Sequence, residues 1–197
     1  MVQRKYEIVT ERARAFITRA ESRFNEPKRK DRKKPNRDSH LWEHSRLVAS
    51  LARRLAEAEG VDAGPAYLTG LLHDAGKFAG GRYHEDDQPE EKTSAAAAAE
   101  ILKKSGFAPG LIRRVTRALD SLYQAGKKRD MLADIVHDAD FLAKFGRLGV
   151  AQFFIKSTLR GLSLSRMLTE SLSKELTYAA VLPKNMRTAS GRRLAAA

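Results

Sequence analysis

Apolar positions recur along this chain with the 3.6-residue period of helices, and no segment shows the two-residue alternation of a paired strand. From Gln3 to Phe24 a broad stripe of Tyr6, Ile8, Val9, Ala13, Phe16, Ile17 and Ala20 predicts a helix. The stretch from Asn25 to Arg37, NEPKRKDRKKPNR, breaks the pattern: two prolines and seven basic residues forbid a packed element and predict an exposed loop. Asp38 or Ser39 then stands where it can cap a helix from His40 to Glu59, whose apolar positions Leu47, Val48, Leu51 and Leu55 keep one face. Gly60 ends it, and a helix from Ala63 to Asp74 follows with Pro65 in its first turn. Three glycines and an acidic cluster make Gly76 to Gln88, GKFAGGRYHEDDQ, a loop.

Pro89 and the alanines from Ala95 to Ala99 open the next helix, which reaches Lys104; alanine here is a helix former rather than a repeat with a function. Further helices are expected over Leu111–Tyr123, Lys128–Phe145, Val150–Leu159, Ser163–Ser173 and Tyr178–Leu182. The apolar Val150, Phe153 and Phe154 are expected in the core. The fold class is therefore all-α. An N-terminal helix over 1–24, a basic exposed loop over 25–38 and a helical domain over 39–197 are expected to form one globular unit, as suits 197 residues.

Composition changes this picture in two places. No cysteine is present, which excludes disulfides and thiolate metal sites. The formal net charge of +13 favours polyanionic partners such as nucleotides, nucleic acid or anionic lipid, or simply a solvated basic surface. No run of about eighteen apolar residues occurs, so no membrane span is expected. The first residues lack the apolar core of a secretory signal, so a cytoplasmic location is expected.

Five histidines, at 40, 44, 73, 84 and 137, carry the candidate chemistry. His44 shares the face of Leu47, Val48 and Leu51 and so points inward. Leu71-Leu72-His73-Asp74 closes an apolar helix on an adjacent histidine and aspartate. A buried pair of that kind needs a compensating partner, which a divalent cation supplies. Imidazole with carboxylate suits Mn, Fe, Co, Ni or Zn, with Mg possible where oxygen ligands dominate. A further carboxylate comes from Asp138 or Asp140, which lie about 200° apart on one helix, so only one reaches the site. Spacing does not choose: Asp138 continues the stripe of Met131, Ile135 and Leu142, and Asp140 that of Leu132 and Val136.

His40-Leu-Trp-Glu-His44, Glu59-Gly-Val-Asp62, Leu71-Leu-His-Asp-Ala-Gly-Lys77 and Asp138-Ala-Asp140, in that order, resemble the HD superfamily of metal-dependent phosphohydrolases, over roughly half the chain. The resemblance implies a single HD-type helical domain, with His44, His73, Asp74 and Asp140 as metal ligands; it favours Asp140 over Asp138. It also implies hydrolysis of a nucleotide or related phosphate ester by a metal-activated water, with Asp74 orienting the nucleophile as well as binding metal. Members with two metals carry extra histidines between the doublet and the last aspartate. Here that interval offers only His84 among Glu85, Asp86, Asp87, Glu90 and Glu91, so one metal is expected and the acidic loop is read as a solvated lid or a second-metal site. His40 is expected behind the ligands and His137 in a structural role.

Lys77 either meets a phosphate oxygen or caps its helix end. His84, Arg113 and Arg114 are weaker candidates for substrate binding. Two other classes compete with the hydrolase. A nucleic-acid-binding or RNA-processing role would use the basic run 28–37, although no aromatic residue is interleaved with it for base stacking. A catalytically silent module would keep the scaffold, but it would have no need of four matched ligands.

Overall fold

The computed structural model describes residues 2–25, 39–81, 83, 90–123 and 130–197. Most of the expected basic loop, including 28–37, lies outside the described residues, as do His84 and the acids at 85–87. Among the described residues every regular element is helical: α1 (Val2–Asn25), α2 (His40–Ala58), α3 (Ala63–Leu72), α4 (Glu90–Lys104), α5 (Pro109–Ser121), α6 (Met131–Ala143), α7 (Gly146–Leu159), α8 (Leu164–Arg166), α9 (Leu172–Asn185) and α10 (Ala189–Ala195). The fold is all-α.

Helix α3 is the centre of the bundle. Pro65, Ala66 and every residue from Leu68 to Leu72 are buried, so it has no polar face to expose. Small residues let α2 approach it closely: a methyl added to Gly70 would sit 3.0 Å from the Ala49 Cα. Around this axis α1, α4 and α5 contribute Val9, Ile17, Leu102 and Leu119 to one apolar cluster, and α6 contributes Leu132, Ile135 and Val136 to a second. The stripe of α1 is narrower than expected, since Ile8 and Phe16 face solvent and Val9, Ala13 and Ile17 are buried. Helix α1 is fixed to the start of α2 by Glu21. Its carboxylate accepts from the Ser39 hydroxyl, from His40 Nδ1 at 2.6 Å and from the Leu41 N–H at 3.4 Å. Ser39 in turn accepts from the Trp42 N–H at 3.0 Å and caps α2.

Several element ends differ from the sequence expectation. Helix α3 stops at Leu72 and the chain turns through His73 to Phe78. There the Gly76 N–H leaves the helical ladder for Ser94 Oγ at 3.0 Å. A side chain at Gly76 would collide with the Thr93–Ser94 backbone of α4, so glycine is required for that approach. Helix α5 begins at Pro109 rather than Leu111, because proline suits the first helical turn. The two expected C-terminal helices are one run, α8 continuing through a π turn at Met167–Ser171 into α9. The expectation for α7 is corrected more deeply. Its buried face is Gly149, Gln152 and Ser157, while Val150 is 58% and Phe154 37% exposed. Gln152 Nε2 donates to the His40 carbonyl at 2.6 Å, so a polar bond rather than an apolar stripe seats this helix on α2.

Candidate active site

The core presents polar groups where α2, α6 and the turn after α3 meet. His44 is buried on the inner face of α2, about one turn from its N-terminus, and His73 is buried as the C-cap of α3. The His73 Nδ1–H donates to the Gly70 carbonyl at 2.8 Å, which fixes the ring and turns Nε2 inward. Asp140 enters from α6 with Oδ1 at 3.1 Å from His44 Nε2 and 3.7 Å from His73 Nε2. One ligand atom from each of these three residues lies within 4.8 Å of the others. Asp74 stands beside the triad, its Oδ2 at 3.6 Å from His73 Nε2 and 3.9 Å from His44 Nε2. That same oxygen accepts from Lys77 Nζ at 2.8 Å, and Lys77 also faces Glu90 at 3.6 Å.

The donor set fits a divalent cation. His73 Nε2 is buried with no hydrogen-bond partner among the described residues, and its tautomer leaves a lone pair toward the two carboxylates. The carboxylates are already held ionised. Burial alone would raise the Asp74 pKa, but Lys77, then His73 and His44, hold it well below the usual carboxylate range. Burial likewise opposes ionisation of Asp140, and Lys144 with the two imidazoles overcomes it. Burial pushes the His44 imidazole down. For His73, burial is outweighed by Asp74 and Asp140, which raise its pKa. Lys77 is raised against burial by Asp74 and Glu90, so it stays a cation.

The second oxygen of Asp140 is also occupied. Tyr123 donates to Oδ2 at 2.6 Å and Lys144 Nζ lies 3.4 Å from it, leaving Oδ1 for the imidazole side. Tyr123 keeps part of its ring in solvent while its hydroxyl reaches inward, where burial and the charge of Asp140 raise its pKa well above ordinary. The site opens into a cleft of about 360 Å³ whose walls include Lys77, Lys144, Lys156, Phe153, Arg160 and Tyr178.

Asp138 does other work. It is fully buried and accepts from the Arg187 N–H at 2.9 Å, the Thr188 N–H and Oγ1 at 2.8 Å each, and His137 Nδ1 at 3.0 Å. It therefore ties α6 to the entry of α10. His137 stacks on Phe141 with ring centroids 4.4 Å apart and is not part of the His44–His73–Asp140 group. His40 sits behind the ligands on Glu21. Arg113 and Arg114 are exposed on α5 and do not line the cleft, and His84 lies outside the described residues. Sequence reasoning passed over Tyr123, Lys144 and Lys156. Only Lys156 left a signal, as the one charged residue between Val150 and Leu159.

Buried His and Asp side chains that could hold a metal ion meet between the helices, and the sequence matches the HD domain family over residues 41–144. The chain belongs to that family. The match and the donor set together support a metal-dependent hydrolase. Among solved structures, Bacillus subtilis YpgQ superposes with a TM-score of 0.64 at 20% identity, over 95% of this chain and 86% of that chain. YpgQ in complex with ADP gives 0.63 at the same identity and coverage. A predicted HD superfamily hydrolase from an uncultured Thermotogales bacterium gives 0.57 at 21% identity, over 93% of this chain and 82% of that one. At these identities the likeness is one of fold. A comparison with curated proteins finds no match.

Proposed function

We propose that this protein is a metal-dependent phosphohydrolase acting on a nucleotide or a related phosphate ester. The observation that carries the reading is the His44–His73–Asp140 donor set at the head of a cleft lined by lysines. A divalent ion held there supplies an acidified water and a Lewis acid for a phosphoryl oxygen. The chain's own residues do the rest. Tyr123 and Lys144 orient Asp140, and Lys77 keeps Asp74 ionised beside the site. The lysines lower the cost of bringing a polyanion to two buried carboxylates. Phe153 and Tyr178 in the cleft wall offer apolar surface to a base, and the complex of YpgQ with ADP adds support for a nucleotide. Asp74, whose Oδ2 accepts from Lys77, would serve as a further ligand or would orient the attacking water. A cytoplasmic setting, where nucleotides are abundant, belongs to the same proposal; no helix among the described residues is long and apolar enough to cross a membrane.

The test is release of phosphate or pyrophosphate from a nucleotide panel with Mn, Co, Ni or Mg added, beside an Asp74→Ala protein. Metal-dependent release by the native chain that disappears in the variant is expected. Equal traces from the two proteins would contradict the reading.

A further inference from the structure

Three lysines line the cleft, and two of them are already matched by carboxylates. Lys77 lies between Asp74 and Glu90. Lys144 pairs with Asp140 Oδ2 at 3.4 Å and its ammonium sits 3.9 Å over the Phe141 ring. Lys156, in the third turn of α7, has no carboxylate within ion-pair reach among the described residues; Asp74 and Asp140 attract it only from further away. Burial and the like charge of Lys77 push its pKa down, as expected for an ammonium short of a counter-ion. Arg160 follows one helical turn later and lines the same cleft. A cation withdrawn from water in this way costs free energy unless an anion offsets it. Helix α7 also lies beyond residues 41–144, so these two cations come from a part of the chain that the family match does not cover.

We propose that Lys156, with Arg160 beside it, forms an anion subsite that takes a second phosphate of the substrate, beyond the phosphate at the His44–His73–Asp140 donor set. This rests on the phosphohydrolase reading for the first phosphate, but the subsite itself is defined by α7. It makes a substrate with two or more phosphates a better fit than a monoester. Lys156 supplies charge and hydrogen bonds to the distal phosphate, and Arg160 adds positive charge to the same wall of the cleft.

Calorimetric titration of the full chain with ADP and with AMP, with EDTA present, isolates the subsite. Nothing turns over under those conditions and no ion contributes at the donor set. The native protein is expected to bind ADP more tightly than AMP by about ten- to a hundredfold, the range for hydrogen bonds to charged groups. Lys156→Met should abolish that preference by weakening ADP alone, and Lys156→Arg should keep most of it. Removing an unmatched, half-buried charge is expected to leave folding intact, which a thermal melt of each variant checks. ADP bound equally by the native chain and Lys156→Met would overturn the proposal, as would a native chain with no preference for ADP. Equal weakening of ADP and AMP would place Lys156 on the first phosphate and overturn it too. Each result stands whether or not the nucleotide panel shows turnover, so the subsite and the hydrolase reading fail separately.

Discussion

Asp138 and Asp140 are both buried carboxylates, two residues apart on α6, and they face opposite ways into different chemistry. Asp138 is saturated by donors that belong to the fold: two backbone N–H groups, a hydroxyl and the neighbouring imidazole. Asp140 has one oxygen taken by Tyr123 and Lys144, and the other directed at two imidazoles. Burial and charge are common to both. What separates them is whether every lone pair already has a partner fixed by the backbone. A saturated carboxylate holds the structure together, whereas one that faces other unsatisfied ligand atoms is suited to hold an ion.

That contrast predicts opposite outcomes for the two aspartates. Asp140→Ala should lower metal-dependent hydrolysis by about a thousandfold, equivalent to roughly 4 kcal/mol of activation free energy. A thermal melt of the same variant should move far less than that of an Asp138 variant. Asp138→Ala leaves the Arg187 and Thr188 N–H groups buried without their acceptor and should destabilise the fold by about 3–5 kcal/mol in urea unfolding. While it remains folded, its metal affinity should stay within a few-fold of native. The reverse pattern would break the comparison.

Smaller changes sharpen it. A methyl at Gly191 would collide with Asp138 Oδ2 and Thr188 Oγ1, so Gly191→Ala should cost about 1–3 kcal/mol of stability and leave metal binding unchanged. Tyr123→Phe removes a bond to the other carboxylate, and here the expected loss is about tenfold in metal affinity, read by direct titration, with little change in unfolding. Glu21, another carboxylate surrounded by donors, extends the rule to α1. Burial would raise its pKa, but His40, Ser39 and the Leu41 N–H lower it. Its contribution is therefore full above the unfolded value of about 4.3 and is lost as pH falls through the lower folded value. The stability gap between the native chain and Glu21→Gln should close over that acidic range.

Much of this was legible in the sequence because it was periodic. The inward face of α2 announced His44, and the apolar helix ending in His73-Asp74 announced the doublet. The choice between Asp138 and Asp140 was not legible from spacing, since each continues an apolar stripe and the partners of Asp138 sit at Arg187 and Thr188, about fifty residues away. The motif resemblance favoured Asp140 without a physical reason; the donors from the α10 entry supply one. Helix α7 misled for a related cause. Its outward face is the apolar one, and it is seated by Gln152 on a backbone carbonyl of α2, which no local pattern records. Tyr123 and Lys144 were missed because their importance lies only in touching Asp140.

The most direct test of the central claim is calorimetric titration of Mn²⁺ or Co²⁺ into the native chain, Asp138→Asn and Asp140→Asn, each first shown to be folded. The account predicts saturable binding of one ion in the native chain and in Asp138→Asn, and loss of that binding in Asp140→Asn. Binding that survives in Asp140→Asn, or that disappears only in Asp138→Asn, would contradict it.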